Sequence, residues 1–126
     1  MAGNRNHTIG MRGEQLAAEY LERLGYDILA RRYRRRTGEL DLICSGFSTG
    51  DAGAREIVFV EVKTRTSSRY GRPEEAVTPA KQARLQRLAQ EYLVAHGLED
   101  SNVRFDVLAI EIGPAEEKLD HITNAF

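Results

Sequence analysis

The stretch from Glu56 to Thr64, Glu-Ile-Val-Phe-Val-Glu-Val-Lys-Thr, constrains this chain more than any other. Consecutive β-branched residues with no polar alternation describe a strand buried on both faces, hence a central one. A central strand needs a neighbour on each side and a layer over each face, which points to a layered α/β domain. Two charged residues interrupt that apolar strand. Side chains alternate along a strand, so Glu61 and Lys63 share a face with Ile57 and Phe59, while Val58, Val60 and Val62 take the other.

The surrounding pattern supplies the layers. From Thr8 to Leu24 the residues Leu16, Ala17, Tyr20, Leu21 and Leu24 recur at helical spacing, and Gly25 marks a stop. Strands are expected over Tyr26–Tyr33 and Glu39–Cys44, separated by Thr37-Gly38. Ser45–Arg55, with Gly46, Gly50 and Gly53, reads as a flexible turn, long for a hairpin. Arg65–Val77 is a polar loop. Thr78-Pro79 opens a second helix with a capping hydroxyl and proline at the first helical position. That helix runs to His96, with Leu85, Leu88, Ala89, Tyr92 and Leu93 inward, and a strand follows over Val103–Ile112. Whether Leu119–Phe126 packs or pairs is left open. The order is helix-strand-strand-strand-helix-strand: an α/β fold with a mixed sheet and helices packed against it. At 126 residues the chain reads as one domain over residues 8–126, preceded by a flexible arm over residues 1–7.

No apolar run approaches the ~20 residues that cross a bilayer, and Met1–Gly10 is too polar for a secretory leader, so no membrane association is expected. Cys44 is the lone cysteine, which excludes an intrachain disulfide and suits a cytoplasmic location. No Cys/His spacing suits zinc. The net charge of −1 is uninformative, but its distribution is not. Arg31, Arg32, Arg34, Arg35 and Arg36 fall within six positions; Lys63, Arg65, Arg69, Arg72, Lys81, Arg84 and Arg87 follow, and acids dominate from Glu99 onward. Clustered arginine is the electrostatic footprint of phosphate binding, though a solvated face has the same composition.

The acids make the sharper case. Glu39 and Asp41 share one face of their strand. If that strand pairs as a hairpin with the one bearing Glu61, Asp41 and Glu61 stand side by side. Adjacent like charges destabilise a sheet. A divalent cation compensates, and Mg²⁺ favours carboxylate oxygens while keeping several waters. Lys63 can neutralise charge or orient a water. Phosphodiester cleavage needs an activated water and neutralised phosphate oxygens, which metal ions supply. Glu-x-Lys alone is common on solvated strands; its placement in the most apolar strand, opposite a second acid, is what raises it above that. Glu14 borders the apolar face of the first helix, and could equally be a first-turn acid favoured by the helix dipole. Gly13 lies near the centre of that face, where a close backbone approach would compensate its poor helix propensity. Lys81 and Gln82 begin the second helix, where capping and solvation are the plain reading.

Gly13-Glu14, Gly38-Glu39-Leu40-Asp41-Leu42-Ile43, Val58-Phe59-Val60-Glu61-Val62-Lys63-Thr64-Arg65, Ala76-Val77-Thr78-Pro79-x-Lys81-Gln82, Arg104-Phe105-Asp106-Val107 and Asn124-Ala125-Phe126 together resemble the YraN-like family of small bacterial proteins. That family looks like a branch of the restriction-endonuclease-like superfamily, whose signature is an acid followed by (Asp/Glu)-x-Lys. Holliday-junction resolvases and RecB-type nuclease domains are similar. The resemblance implies metal-dependent nuclease chemistry but no particular substrate; the reading taken is a Mg²⁺- or Mn²⁺-dependent nuclease acting on DNA in preference to RNA, with branched or broken ends as candidates. In it Asp41, Glu61 and the Val62 carbonyl would hold the metal with help from Glu14. Lys63 would position water or phosphate, and Gln82 would match the glutamine of RecB-type domains. Arg31, Arg32, Arg34, Arg35, Arg36, Arg65 and Lys81 would face nucleic acid. Resolvases need two sites, so a homodimer is admitted. The rival readings are a non-catalytic nucleic-acid-binding or adaptor protein that keeps the fold, and a structural partner in a larger complex.

Overall fold

A computed structural model describes residues 2–47, 55–66 and 77–126, with side chains from residue 8 onward and without that of Phe47. Arg69, Arg72 and the centre of the long glycine-containing turn lie outside the described residues. The elements run α1 (Ala2–Arg23), β1 (Asp27–Arg35), β2 (Gly38–Phe47), β3 (Arg55–Arg65), α2 (Pro79–Ala95), β4 (Asn102–Ile112) and β5 (Glu117–Ile122). The sheet order is β1-β2-β3-β4-β5, so the apolar β3 is indeed central. β3 and β4 are parallel, joined through α2; the other neighbours are antiparallel. The mixed sheet follows from that one crossover.

Each helix covers one face. Beneath α2, Ile43, Ile57, Phe59 and Val107 pack with Leu85, Leu88 and Tyr92. Beneath α1, Leu42, Cys44, Val58, Val60 and Leu108 pack with Ala17, Ala18 and Leu21. A fully buried side chain such as Phe59 or Leu88 contributes roughly 1.5–3 kcal/mol relative to exposure. Thr78 caps α2 as its sequence implies, its Oγ1 accepting from the Lys81 N–H at 3.2 Å, with Pro79 following. Gly25 and Gly97 terminate the helices at φ +96° and +66°. In each case the next amide folds back, Tyr26 N–H to Leu21 O at 3.0 Å and Leu98 N–H to Leu93 O at 2.8 Å.

Four details differ from or add to the sequence expectation. Ser45, Gly46 and Phe47 belong to β2 and Arg55 to β3, where the sequence reads as a turn over Ser45–Arg55. Helical backbone extends to Ala2 rather than starting near Thr8; residues 2–7 hold no apolar period from which a helix could be read. The tail forms β5, paired with β4 from Val107↔Ile122 to Ile112↔Glu117. Leu40, which strict alternation sets on the face of Leu42, packs instead beneath α2 with Ile43. The β2–β3 pairing ends at Leu42↔Val60, and beyond that point β2 is free to turn toward α2.

Candidate active site

The end of the β2–β3 ladder is where the acids gather. Continuing the register past Leu42↔Val60 sets Asp41 opposite Glu61, but the strands no longer pair there. The Val62 N–H donates instead to Asp41 Oδ2 at 2.8 Å, a carboxylate taking the place of a strand carbonyl. Val62 thus enters the site through its amide. Glu61 shares its face with Ile57 and Phe59, toward α2, and is buried. Its Oε1 accepts from Lys81 Nζ at 2.9 Å and lies 3.5 Å from Lys63 Nζ. Two lysines, one from β3 and one from the first turn of α2, therefore converge on one carboxylate.

The electrostatics express that crowding. Burial, and then the negative charge of Glu61, push Asp41 up to about 7, against the pull of the Val62 amide. Burial, and then the neighbouring Lys81, hold Lys63 below the usual lysine range. Burial disfavours the charged form of Lys81 too, yet its contacts with Lys63 and Glu61 outweigh this and raise it. Of two adjacent ammonium groups, Lys81 keeps its proton more firmly.

Glu14 sits beside this cluster, and its charge adds to the upward push on Asp41. Its direct partner is Arg32, whose Nε donates to Glu14 Oε2 at 2.6 Å. Gly13 does make the close approach its position implied: a Cβ there would overlap Thr64 of β3. That contact brings α1, and Glu14 with it, onto the end of β3. Gln82 does not reach the acids; its Nε2 donates to Val77 O at 3.0 Å, fastening the segment before α2. Among the described residues no group of three or more His, Cys, Asp or Glu side chains stands together as a ligand cluster.

The arginine run divides. β1 is an edge strand. Arg31 donates to Gln15 Oε1 at 3.2 Å and Arg32 binds Glu14, so consecutive residues both reach α1. Strict alternation forbids this; the left-handed backbone of Arg32, φ +51°, permits it. Arg34 lies 3.4 Å from Glu39, Arg35 stacks over the Tyr33 ring at 4.4 Å, and Arg36 is exposed. Arg65 is half-buried at the end of β3.

A second charged cluster, not assigned a role from the sequence, lies on the α1 face of the sheet. Asp106, fully buried, accepts from Arg104 Nε and Nη2, both at 2.8 Å, and from the Asn124 N–H at 3.0 Å. His121 Nε2 lies 2.7 Å from Asp106 Oδ2 and its Nδ1 3.1 Å from the Tyr20 hydroxyl. An ionised carboxylate only accepts, which makes Nε2 the donor to Asp106. Arg104 also reaches Glu56 at 3.1 Å and the Tyr26 hydroxyl at 2.8 Å. Arg104 and Asp106, two apart inside an apolar strand, were the available signal. An open groove of about 700 Å³, lined by Glu22, Tyr26, Leu29 and Arg31, holds none of the site acids.

No helix among the described residues is long and apolar enough to cross a membrane. The model of the uncharacterised protein family UPF0102 matches residues 13–110. A UPF0102 protein of Geobacter sulfurreducens is 47% identical over 124 residues, covering 98% of this chain and 91% of its own. One of Symbiobacterium thermophilum is 54% identical over 119 residues, covering 94% and 95%. One of Syntrophomonas wolfei is 46% identical over 121 residues, covering 96% and 99%. With its glycines, paired strand acids and α2 cap all inside or beside the matched span, the chain belongs to the UPF0102 family.

Proposed function

We propose that this protein is a metal-dependent phosphodiesterase acting on nucleic acid, with DNA the preferred substrate. The observation that carries the reading is the approach of Asp41 and Glu61 where β2 and β3 part, near enough for the charge of Glu61 to act on Asp41, with Lys63 and Lys81 converging on Glu61. The donor set suits a hard divalent cation. Two carboxylates supply oxygen ligands, and the upward push on Asp41 registers a repulsion that a cation between them would relieve. Mg²⁺ or Mn²⁺ held by Asp41 and Glu61 would supply Lewis-acid activation of water and charge neutralisation at phosphate. The chain's own groups do the rest. The Val62 amide fixes the rotamer of Asp41. Lys63 Nζ, 3.5 Å from Glu61 Oε1, would orient the attacking water or a phosphate oxygen. Lys81, firmly protonated, holds Glu61 and offers positive charge to a phosphate oxygen.

The test is a panel of branched, flapped, nicked and single-stranded substrates with Mg²⁺ or Mn²⁺, with Glu61→Ala as control. Cleavage by the parent protein and not by the variant supports the reading. Binding without cleavage on every substrate would favour the non-catalytic alternative.

A further inference from the structure

Resting on the phosphodiesterase reading, we propose that Arg32 contacts the substrate phosphate in this cleft, and that Glu14 is the side chain that positions it rather than a third metal ligand.

Three observations meet at Arg32. The register from Arg31↔Leu42 to Tyr33↔Leu40 sets it opposite Asp41. The charge of Asp41 reaches Arg32 from β2, and that of Glu61 reaches Asp41 from β3. Its backbone is left-handed in mid-strand, φ +51°, a conformation that costs a non-glycine residue about 1–3 kcal/mol and persists only where surroundings impose it. It is accompanied here by the 2.6 Å bond from Nε to Glu14, which carries the guanidinium to α1.

That bond uses Nε alone. The two Nη groups, which form the fork that grips phosphate, make no hydrogen bond among the described residues. The guanidinium is half-buried and also lies near Glu39 and Asp41. A cation so fixed does not need to be ordered when an anion arrives. Glu14, for its part, spends an oxygen on Arg32, and no three-acid ligand cluster exists among the described residues. Asn and Asp tolerate left-handed backbone better than Arg does, so an arginine here is not explained by conformation.

The variants are Glu14→Gln, which is isosteric, and Arg32→Asn, which removes the guanidinium while suiting the backbone; Arg32→Lys and Asp41→Asn are controls. Two readouts are taken on the intact chain: Mn²⁺ binding alone, and anisotropy of a labelled DNA duplex in Ca²⁺ across a salt series. Asp41→Asn should abolish Mn²⁺ binding. Glu14→Gln should leave it within about threefold, and both Glu14→Gln and Arg32→Asn should weaken DNA binding about tenfold. Arg32→Asn should also flatten the salt slope by about 1, which loss of a merely structural residue would not do. Arg32→Lys should fall between, keeping charge without the fork. The double variant should bind no more weakly than Arg32→Asn alone, since Glu14 acts through Arg32. Loss of Mn²⁺ binding in Glu14→Gln, or parental DNA affinity and slope in Arg32→Asn, would overturn the assignment. If the parent protein binds neither Mn²⁺ nor DNA, the phosphodiesterase reading itself fails, a distinct result.

Discussion

At Asp41, burial and the charge of Glu61 act in one direction, so ionisation works against the fold when no cation is bound. The folded carboxyl titrates near 7, against 3.8 for a free one. Between those values the folded state holds the extra proton, so the metal-free protein should lose stability as pH rises from about 4 to 7 and stay lower above. Asp41→Asn, which can still accept from Val62, should remove this loss. In chelator at pH 8 we expect the variant to be more stable than the parent by on the order of 2 kcal/mol, and no more stable at pH 4. Added Mg²⁺ should raise the parent's melting temperature and not the variant's. A lower melting temperature for Asp41→Asn at pH 8 would show that the acids do not strain the fold.

The elements depend on two unlike contacts. α1 docks through Gly13, where an added Cβ would lie 2.9 Å from Thr64 Cβ. Because Cβ cannot rotate away, Gly13→Ala should cost about 1–3 kcal/mol in denaturant melts and lift Glu14 from the cleft. Gly10 is the internal control: a Cβ there meets nothing within 4 Å, so Gly10→Ala should gain up to about 1 kcal/mol from helix propensity. Equal effects at the two positions would contradict the docking. On the far edge, Asp106 binds Arg104, His121 and the Asn124 amide, tying β5 and the tail to β4. Although burial alone would raise Asp106, the bonds from His121 and Arg104 outweigh it and hold it low. Its contribution is thus present above about pH 4 and lost as pH falls further. Asp106→Asn should cost about 2–4 kcal/mol at neutral pH, because it takes the buried carboxylate's charge from Arg104 and leaves it only Glu56 and the Tyr26 hydroxyl. A loss below ~1 kcal/mol would mean that the tail is held by Phe126 packing on Phe105 instead.

For the molecule as a whole, the arginine run makes two surfaces. Arg31 and Arg32 turn to α1, whereas Arg34, with its side chain 70% exposed, Arg35 and Arg36 remain at the outer edge of the sheet. Each duplex phosphate contact contributes about 0.9 to the salt slope. Replacing Arg34, Arg35 and Arg36 with Ala should weaken binding to all DNA sequences alike and flatten the slope by up to about 3, with Mn²⁺ binding unchanged. Parental affinity and slope would make this edge a solvated face and move the path toward Lys81, Arg84 and Arg87.

Sequence alone determined the central strand, both helices with their stops, and the alternation that puts Glu61 and Lys63 on one face. These are local consequences of period, capping and side-chain shape. It also marked Gly13 as a close approach and Asp41 as the partner acid, because charge inside an apolar strand is costly enough to be conspicuous. It could not assign Lys81 to Glu61 or Arg32 to Glu14. Both pairs join residues distant in the chain, and both look like ordinary surface charge until α2 and β1 are set in place. Nor could it decide that the tail is β5, since Glu117–Ile122 has no apolar period and owes its strand to the open edge of β4. The same holds for the parting of β2 from β3 at Asp41. Strand pairing is set by the packing of both layers, and where it ends, the carboxylate of Asp41 takes over the bond that a backbone carbonyl would have made.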